Sequence, residues 1–173
     1  MEQKSHTVVR YTTLDDLDKV LSIYDYARHR MRESGNPNQW IDGYPSKEIV
    51  TEDINRRSSL VIEINGEIAG VFTFFIGEDP TYNKIYGEWI NNKPYGTIHR
   101  IASAPGAKGV ADICLDYCTV SGYEIRIDTH EDNAPMLGWI RSRGFQYCGI
   151  IHCANGTPRL AFQLQNNNIH PKL

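Results

Sequence analysis

The sequence lacks an excess of basic residues. Its 173 residues contain 18 Lys and Arg against 21 Asp and Glu, which gives a formal net charge of -3. A protein dedicated to nucleic acid or to an anionic membrane normally presents a concentrated basic face. The charge balance therefore argues against both kinds of partner, although a local basic patch would be compatible with it.

Long apolar runs are also missing. No stretch is long enough to cross a bilayer, and residues 1–10 contain no apolar segment followed by a cleavage site. We therefore expect a cytoplasmic protein without a membrane partner.

Cysteine is scarce, and a disulfide framework is not required, because a chain of this length can bury a core. The chain contains four cysteines: Cys114, Cys118, Cys148 and Cys153. Cys114 and Cys118 lie one helical turn apart on an apolar stripe, which favours core packing over a metal pair. His130 and His152 add no recognisable zinc spacing to them, so we predict no metal site.

The hydrophobic periodicity predicts one α/β domain over residues 1–165 and a frayed polar tail over residues 166–173. Predicted strands cover Thr7–Tyr11, Ser59–Ile64, Ile68–Ile76, Tyr95–Ser103, Tyr123–Thr129, Phe145–Cys153 and Arg159–Gln165. Predicted helices run from Leu14 to about Arg30, from Ser46 to about Arg57, from Asp112 to Val120 and from Asn133 to Gly144. A strand, a crossover helix and a strand should make 95–103 and 123–129 parallel neighbours.

The turn after the strand Tyr95–Ser103 is a candidate anion site. A strand that enters a glycine-containing turn and opens a helix leaves main-chain N–H groups without internal partners, and the helix dipole adds positive potential there. The turn reads Gly106-Ala107-Lys108-Gly109-Val110-Ala111. This order fits neither the phosphate loop of nucleotide hydrolases nor the dinucleotide fingerprint.

The same turn resembles the coenzyme A loop of the GNAT acyltransferases, whose pattern is Arg/Gln-x-x-Gly-x-Gly/Ala. Gly109 and Ala111 match its last two defined positions, whereas Gly106 stands where Arg or Gln is usual. Downstream, Asn133 and Gly144-Phe145 match the family's Asn and Gly-Phe with a helix between them. Met136 and Trp139 stand at the corresponding offsets, and Trp40 to Ser46 looks like a small bacterial branch of the family.

The resemblance implies a GNAT-type mixed α/β sheet of about seven strands with helices on both faces. Its parallel fourth and fifth strands would splay apart to form a cleft for acetyl-CoA. The pantetheine arm would then pair with the backbone of Ile101, Ala102 and Ser103. The pyrophosphate would lie on Gly106, Ala107, Lys108, Gly109, Val110 and Ala111, with Asn133 and Met136 contacting the cofactor arm. A surface lysine is the alternative interpretation of Lys108, and Asn133 is compatible with a helix cap as well as with a cofactor contact.

Two aromatic stretches are candidates for the acceptor pocket. Trp40 and Tyr44 lie in a loop rich in Gly, Asn and Pro, where they either plug the edge of the core or line the pocket. Tyr82 and Trp89 accompany Glu88 in an irregular segment, and acid with aromatic rings suits a cationic amine. A solvated surface loop is the alternative for that segment.

The predicted activity is N-acetyl transfer from acetyl-CoA to a primary amine by direct attack in a ternary complex. Glu88, His99 and His130 are the candidate bases, with Asp128 as an orienting partner of histidine, although His99 also reads as a core residue. By resemblance, the main-chain N–H groups near Ile101 and Ala102 would stabilise the oxyanion.

By the same resemblance, the position at which the family carries an acidic Tyr is Ile140 here. Loss of that acid should slow the reaction rather than prevent it, because a thiol pKa of about 8.5 makes thiolate a tolerable leaving group. Tyr147, another Tyr or a water would be the substitute.

Two other functions are also compatible with the sequence. One is a GNAT-like module that binds acyl-CoA without turnover and acts as a sensor or partner protein, and the other is an α/β domain without a cofactor. The acceptor, a small molecule or a peptide, is not readable from the sequence. The final hairpin is compatible with a homodimer.

Overall fold

The computed structural model describes residues 5–167, which form one eight-stranded mixed sheet with two helices on each face. The helices are α1 (Leu17–Glu33), α2 (Lys47–Asn55), α3 (Val110–Thr119) and α4 (Ala134–Ser142). The strands are β1 (Thr7–Tyr11), β2 (Ser59–Ile64), β3 (Glu67–Ile76), β4 (Tyr86–Gly87), β5 (Tyr95–Ser103), β6 (Glu124–Thr129), β7 (Gln146–His152) and β8 (Pro158–Leu164).

The spatial order of the strands is β1-β2-β3-β5-β6-β8-β7-β4. Only the pair β5 and β6 is parallel among the described ladders, and α3 is the crossover between them, as the sequence predicted. The expected count of about seven strands missed β4, which has two residues and pairs with β7 at the sheet edge. Because β4 shifts the numbering, the predicted fourth and fifth strands are β5 and β6 here.

The side chains of each strand alternate between the two faces, which have separate cores. On the face that we call face A, Leu60 and Ile62 pack in one cluster with residues of α3 and α4. On the opposite face, face B, Val61 and Val71 pack with residues of α1 and α2. A helix pair therefore covers each side of the sheet.

Several local predictions are confirmed in detail. Asn65 and Gly66 both adopt positive φ, at 53° and 84°, which is the two-residue hairpin turn that joins β2 to β3. Ser46 caps α2 by accepting the Ile49 N–H at 3.2 Å, and Asn133 caps α4 by accepting the Met136 N–H at 3.2 Å. No helix within residues 5–167 combines the length and apolarity needed to cross a bilayer.

Asn166, the first residue of the predicted frayed tail, is held in place in the structure. Asn166 is 7% exposed, and its side-chain amide donates to the carbonyls of Thr119 and Tyr123, which fixes the chain against the end of α3. Residues 168–173 of the predicted tail lie outside the described part of the chain.

Candidate active site

The parallel strands β5 and β6 separate partway along their length. Their ladder pairs Tyr95–Ile98 with Glu124–Ile127 and then stops, although β5 continues to Ser103 and β6 to Thr129. On the other edge of β5 the register shifts, so that Arg100 and Ile101 stand opposite the single residue Phe72 of β3. A bulge of this kind bends the strand that carries it, which accounts for the gap.

Arg100 fixes the bulge to face B. Its φ of 51° lies in the left-handed region, which is unfavourable for a residue with a side chain. The guanidinium donates to both carboxylate oxygens of Asp53 on α2, at 2.9 and 2.8 Å, and to the Tyr44 hydroxyl at 2.9 Å. A bidentate pair with little solvent exposure is strong enough to hold the strained residue in place.

A cavity of about 880 Å³ opens at this gap, and both halves of the sheet contribute to its wall. His99 and Ile101 line it from β5, and Asp128 and Thr129 line it from β6. Its volume lies in the range of small-molecule sites. Of the predicted cofactor and substrate residues, those that line it are Trp40, Tyr44, Ile101, Asn133 and Met136.

His99 stands between two carboxylates inside the cavity. Its Nε2 lies 2.6 Å from Oδ2 of Asp79, and its Nδ1 lies 3.6 Å from Oδ2 of Asp128. The same Asp128 oxygen accepts a hydrogen bond from the Tyr82 hydroxyl at 2.6 Å. In neutral imidazole only one ring nitrogen carries hydrogen, so a ring that donates from Nε2 to Asp79 would have an unprotonated Nδ1.

Asp79 is positioned by its own turn. It precedes Pro80 and caps a single helical turn, with Oδ1 accepting the Thr81 N–H at 2.9 Å and the Thr81 hydroxyl at 2.7 Å. Its own N–H donates to the Tyr95 hydroxyl at 2.9 Å. Burial opposes ionisation, but the hydrogen bonds from His99 and Thr81 lower the pKa of Asp79 to about 2. Asp79 is therefore an anion beside His99 at neutral pH.

The other two candidate bases lie elsewhere. Glu88 is exposed beyond β4, where its N–H donates to the Cys148 carbonyl at 2.9 Å, and its side chain does not line the cavity. His130 follows the end of β6, and its Nδ1 accepts the Asp132 N–H at 3.0 Å, also outside the cavity wall. Of the three, the structure brings His99 alone to the gap.

The predicted aromatic residues divide in the same way. Trp40 packs edge-on against Tyr44, and both line the cavity. Tyr82 is 1% exposed and lies behind the wall with Trp89, whose ring centroid is 5.1 Å away. Burial, together with the Asp128 carboxylate, raises the pKa of Tyr82. Tyr82 and Trp89 thus support Asp128 rather than reach the cavity.

The turn between β5 and α3 is open to solvent. Gly106, Lys108 and Gly109 are exposed, and the first-turn N–H groups of Val110 and Ala111 have no acceptor within residues 5–167. Ala107 is an exception among the residues predicted to bind the pyrophosphate, because its N–H already donates to the Ala104 carbonyl at 3.0 Å. Gly109 has φ +74° with open space around it, so glycine is needed there for the backbone conformation rather than for room. These residues lie outside the cavity wall, beyond the end of β5.

Two residues that the sequence analysis did not select complete the site. The Gln39 side-chain oxygen accepts the Asn133 side-chain amide at 2.8 Å, which ties the loop between α1 and α2 to the start of α4. The Gln39 main-chain carbonyl accepts Nη2 of Arg159 at 2.8 Å. Arg159 lies on β8 and lines the cavity. The sequence carried no local signal for either residue, because their partners are about a hundred positions away.

Comparison with solved structures identifies the fold. A GNAT-family acetyltransferase from Streptococcus agalactiae 2603 is 30% identical over 91% of this chain and 94% of its own, with a TM-score of 0.79. The chain belongs to the GNAT acetyltransferase family. No protein-family model and no curated protein matches the sequence.

More distant acetyltransferase structures agree in fold. One is an acetyltransferase from Salmonella typhimurium with its cofactor acetyl-CoA, at 15% identity over 94% of this chain and 95% of that one, with a TM-score of 0.61. Another is the ribosomal-protein-S18-alanine N-acetyltransferase of Escherichia coli, at 13% identity over 97% of this chain and 99% of that one, with a TM-score of 0.62.

The residue that the spacing assigns to the family's leaving-group Tyr lies in the core. Ile140, the position assigned to that Tyr by spacing, is fully buried in the face A core. Tyr147 is 58% exposed on β7 and does not line the cavity. Tyr44 is the tyrosine in the wall of the cavity.

Proposed function

We propose that this GNAT enzyme transfers the acetyl group of acetyl-CoA to a primary amine by direct attack in a ternary complex. The observation that carries the proposal is the His99–Asp79 pair, at 2.6 Å, in a cavity that opens where two parallel strands separate. Acetyl-CoA would supply the thioester, and the acetyl-CoA named for the Salmonella structure supports this choice of co-substrate.

The residues present fit the two ends of such a co-substrate. Main-chain N–H groups without acceptors, at Val110 and Ala111, begin α3 in an exposed turn where an anion gains from the helix dipole. Beyond Ile98, β5 has no partner on β6, so an extended arm could pair with its backbone around Ile101. Asn133 and Met136 would flank that arm from α4.

His99 would act as the base. Asp79 accepts the Nε2 hydrogen and holds the ring, so Nδ1 is the atom that takes the proton from the acceptor ammonium. The resulting positive ring faces Asp128, whose Oδ2 is 3.6 Å from Nδ1. The free amine then attacks the carbonyl carbon, the C–S bond breaks, and the departing thiolate takes up the second amine proton. No acyl-enzyme is proposed. Cys114 and Cys118 are fully buried in the core, and burial raises the pKa of Cys153, the cysteine in the cavity wall, which makes it a poor nucleophile.

The test has two stages. Calorimetry or thermal shift should first detect coenzyme A, and thiol release should then depend on an added amine from a panel of amines, amino acids and peptides. His99→Gln should lower kcat/KM by roughly 10²-fold or more while coenzyme A still binds. Glu88→Gln, which changes the exposed candidate outside the cavity, is the matched control and should leave kcat/KM near the wild-type value. Equal losses in both variants, or a trapped acetyl-cysteine, would contradict the mechanism.

A further inference from the structure

Arg159 carries a buried charge without a counter-ion. The residue is 6% exposed, and no carboxylate within residues 5–167 lies at ion-pair distance from its guanidinium. Its Nη1 donates to the Thr157 hydroxyl at 3.1 Å and to the Pro158 carbonyl at 2.9 Å, and its Nη2 donates to the Gln39 carbonyl at 2.8 Å. A buried guanidinium is normally paired with an anion, because desolvation of its charge is expensive.

Other arginines around the cavity have such partners. Arg100 forms a bidentate pair with Asp53, and Arg56 pairs with Glu52. Arg159 differs in a second respect, since three protein acceptors leave two of its five N–H groups, Nε–H and one on Nη2, without an acceptor among the described residues. Nε–H and an Nη2 hydrogen share one edge of a guanidinium plane, and a fork of this kind matches a carboxylate.

The fork and the proposed base share one face of the sheet. Asp128 pairs with Ala161 on β8, and Arg159 is two residues from Ala161, so both side chains project to the same side. His99 is on that side as well, because its Nδ1 reaches Asp128. Two strand spacings and two residue steps would place the Cα atoms of His99 and Arg159 roughly 12 Å apart in a regular sheet, and the separation of β5 from β6 beyond Ile98 adds to this distance. Both side chains line the cavity.

We propose that the acceptor of this GNAT enzyme is a small amino carboxylate, with its amine at His99 and its carboxylate on the Arg159 fork. This inference rests on the proposed function. Charge complementarity supports it, because Asp79 and Asp128 surround the amine position with negative charge while Arg159 supplies the positive end. The loop residue Gln39 accepts hydrogen bonds from Asn133 and Arg159, and these bonds, which tie the loop to α4 and β8, favour a small acceptor over a long chain.

The test compares each free L-amino acid with its own amide, which keeps the amine and removes the carboxylate charge. Calorimetry with coenzyme A present should give at least ~10-fold tighter binding of the best free amino acid than of its amide, as expected for a buried charge-assisted pair. Arg159→Gln should reduce that ratio to near one, and Arg159→Lys, which keeps the charge without the fork, should give an intermediate ratio. Arg30→Gln, which changes an arginine that pairs with Glu33 outside the cavity wall, should keep the wild-type ratio.

The outcomes separate this inference from the proposed function. The inference is overturned, and the proposed function stands, if amines with and without a carboxylate group support thiol release equally well. The same conclusion follows if a preference for the carboxylate-bearing amines is unchanged in Arg159→Gln and Arg159→Lys. The inference is also overturned if peptides are acetylated while the corresponding free amino acids are not. Absence of coenzyme A binding and of thiol release overturns the proposed function, while the binding ratio still decides on the carboxylate site. If no free amino acid binds better than its amide, the inference is wrong. Circular dichroism and melting curves check that each variant is folded.

Discussion

Replacement of Asp79 by Asn tests the charge that positions the proposed base. The hydrogen bonds that Asp79 accepts lower its pKa from 3.8 to about 2, which corresponds to roughly 2 kcal/mol of stability at neutral pH, since one pKa unit is about 1.4 kcal/mol. The pKa is lower in the folded protein than in the unfolded chain. The contribution is therefore complete above about pH 4, falls to about half by pH 3 and disappears toward pH 2.

Urea unfolding of the wild type and of Asp79→Asn, followed by tryptophan fluorescence from pH 7 to pH 3, measures this difference directly. The gap in unfolding free energy should shrink by roughly 1 kcal/mol between pH 6 and pH 3. Because the Asn side chain cannot hold His99 as a carboxylate does, kcat/KM should also fall by on the order of 10²-fold, with a changed pH profile.

Asp16→Asn is the matched control for this experiment. The Arg10 guanidinium lowers the pKa of Asp16 to about 2 as well, but Asp16 lies before α1 and not in the cavity wall. The control should reproduce the pH-dependent loss of stability and keep the wild-type kcat/KM. A stability gap that is constant from pH 6 to pH 3, or full activity of Asp79→Asn, would refute the reasoning.

Three further changes probe the gap, the turn and the buried helix. Asp53→Asn leaves the charge of Arg100 buried without its partner, so the free energy of unfolding should fall by about 3 kcal/mol and Tm, measured by calorimetry, by roughly 10 °C. Asp25→Asn, which breaks an exposed ion pair, is the control and should change Tm little. Gly109→Ala keeps open space but forces a side chain into φ +74°, so it should cost about 1 kcal/mol in urea unfolding and weaken coenzyme A binding in calorimetry. Ile140→Tyr should overpack the face A core, lowering stability by about 1–3 kcal/mol without raising kcat, and a raised kcat would show that the position reaches the thiolate.

Local chemistry accounts for the features that were predictable from the sequence. The hairpin at Asn65-Gly66 needs only two residues with positive φ, and the cap at Ser46 needs only a side-chain oxygen before a helix. The parallel pairing of β5 and β6 follows from the crossover rule, which depends on element order alone. The resemblance to the coenzyme A loop rests on Gly109 and Ala111 together with the downstream Asn133 and Gly144-Phe145, all of which are residue types at a fixed spacing.

The features that sequence missed depend on contacts between distant elements. The bulge at Arg100 is visible only as a register shift against β3, and its stabilising partner, Asp53, is 47 positions away. Asp79 meets His99 because the segment after β3 folds back over β5, and Arg159 meets Gln39 across 120 positions. Glu88 looked equivalent to His99 in sequence, but β4 carries it to the outer edge of the sheet. The alternation of side chains along a strand predicts which face of the sheet a residue occupies. Which of these residues come into contact depends on the spatial order of the strands.

The two faces of the sheet divide the proposed reaction between them. The exposed amides at the start of α3 lie on the side of face A, where α3 and α4 pack, and His99, Asp128 and Arg159 project from face B. An anionic carrier and a cationic acceptor can therefore approach from opposite sides without competing for the same charges. They meet where β5 and β6 cease to pair, and that separation is held by the strained Arg100 and its pair with Asp53. In this arrangement the ion pair between Arg100 on β5 and Asp53 on α2 would support the proposed reaction by holding the two strands apart.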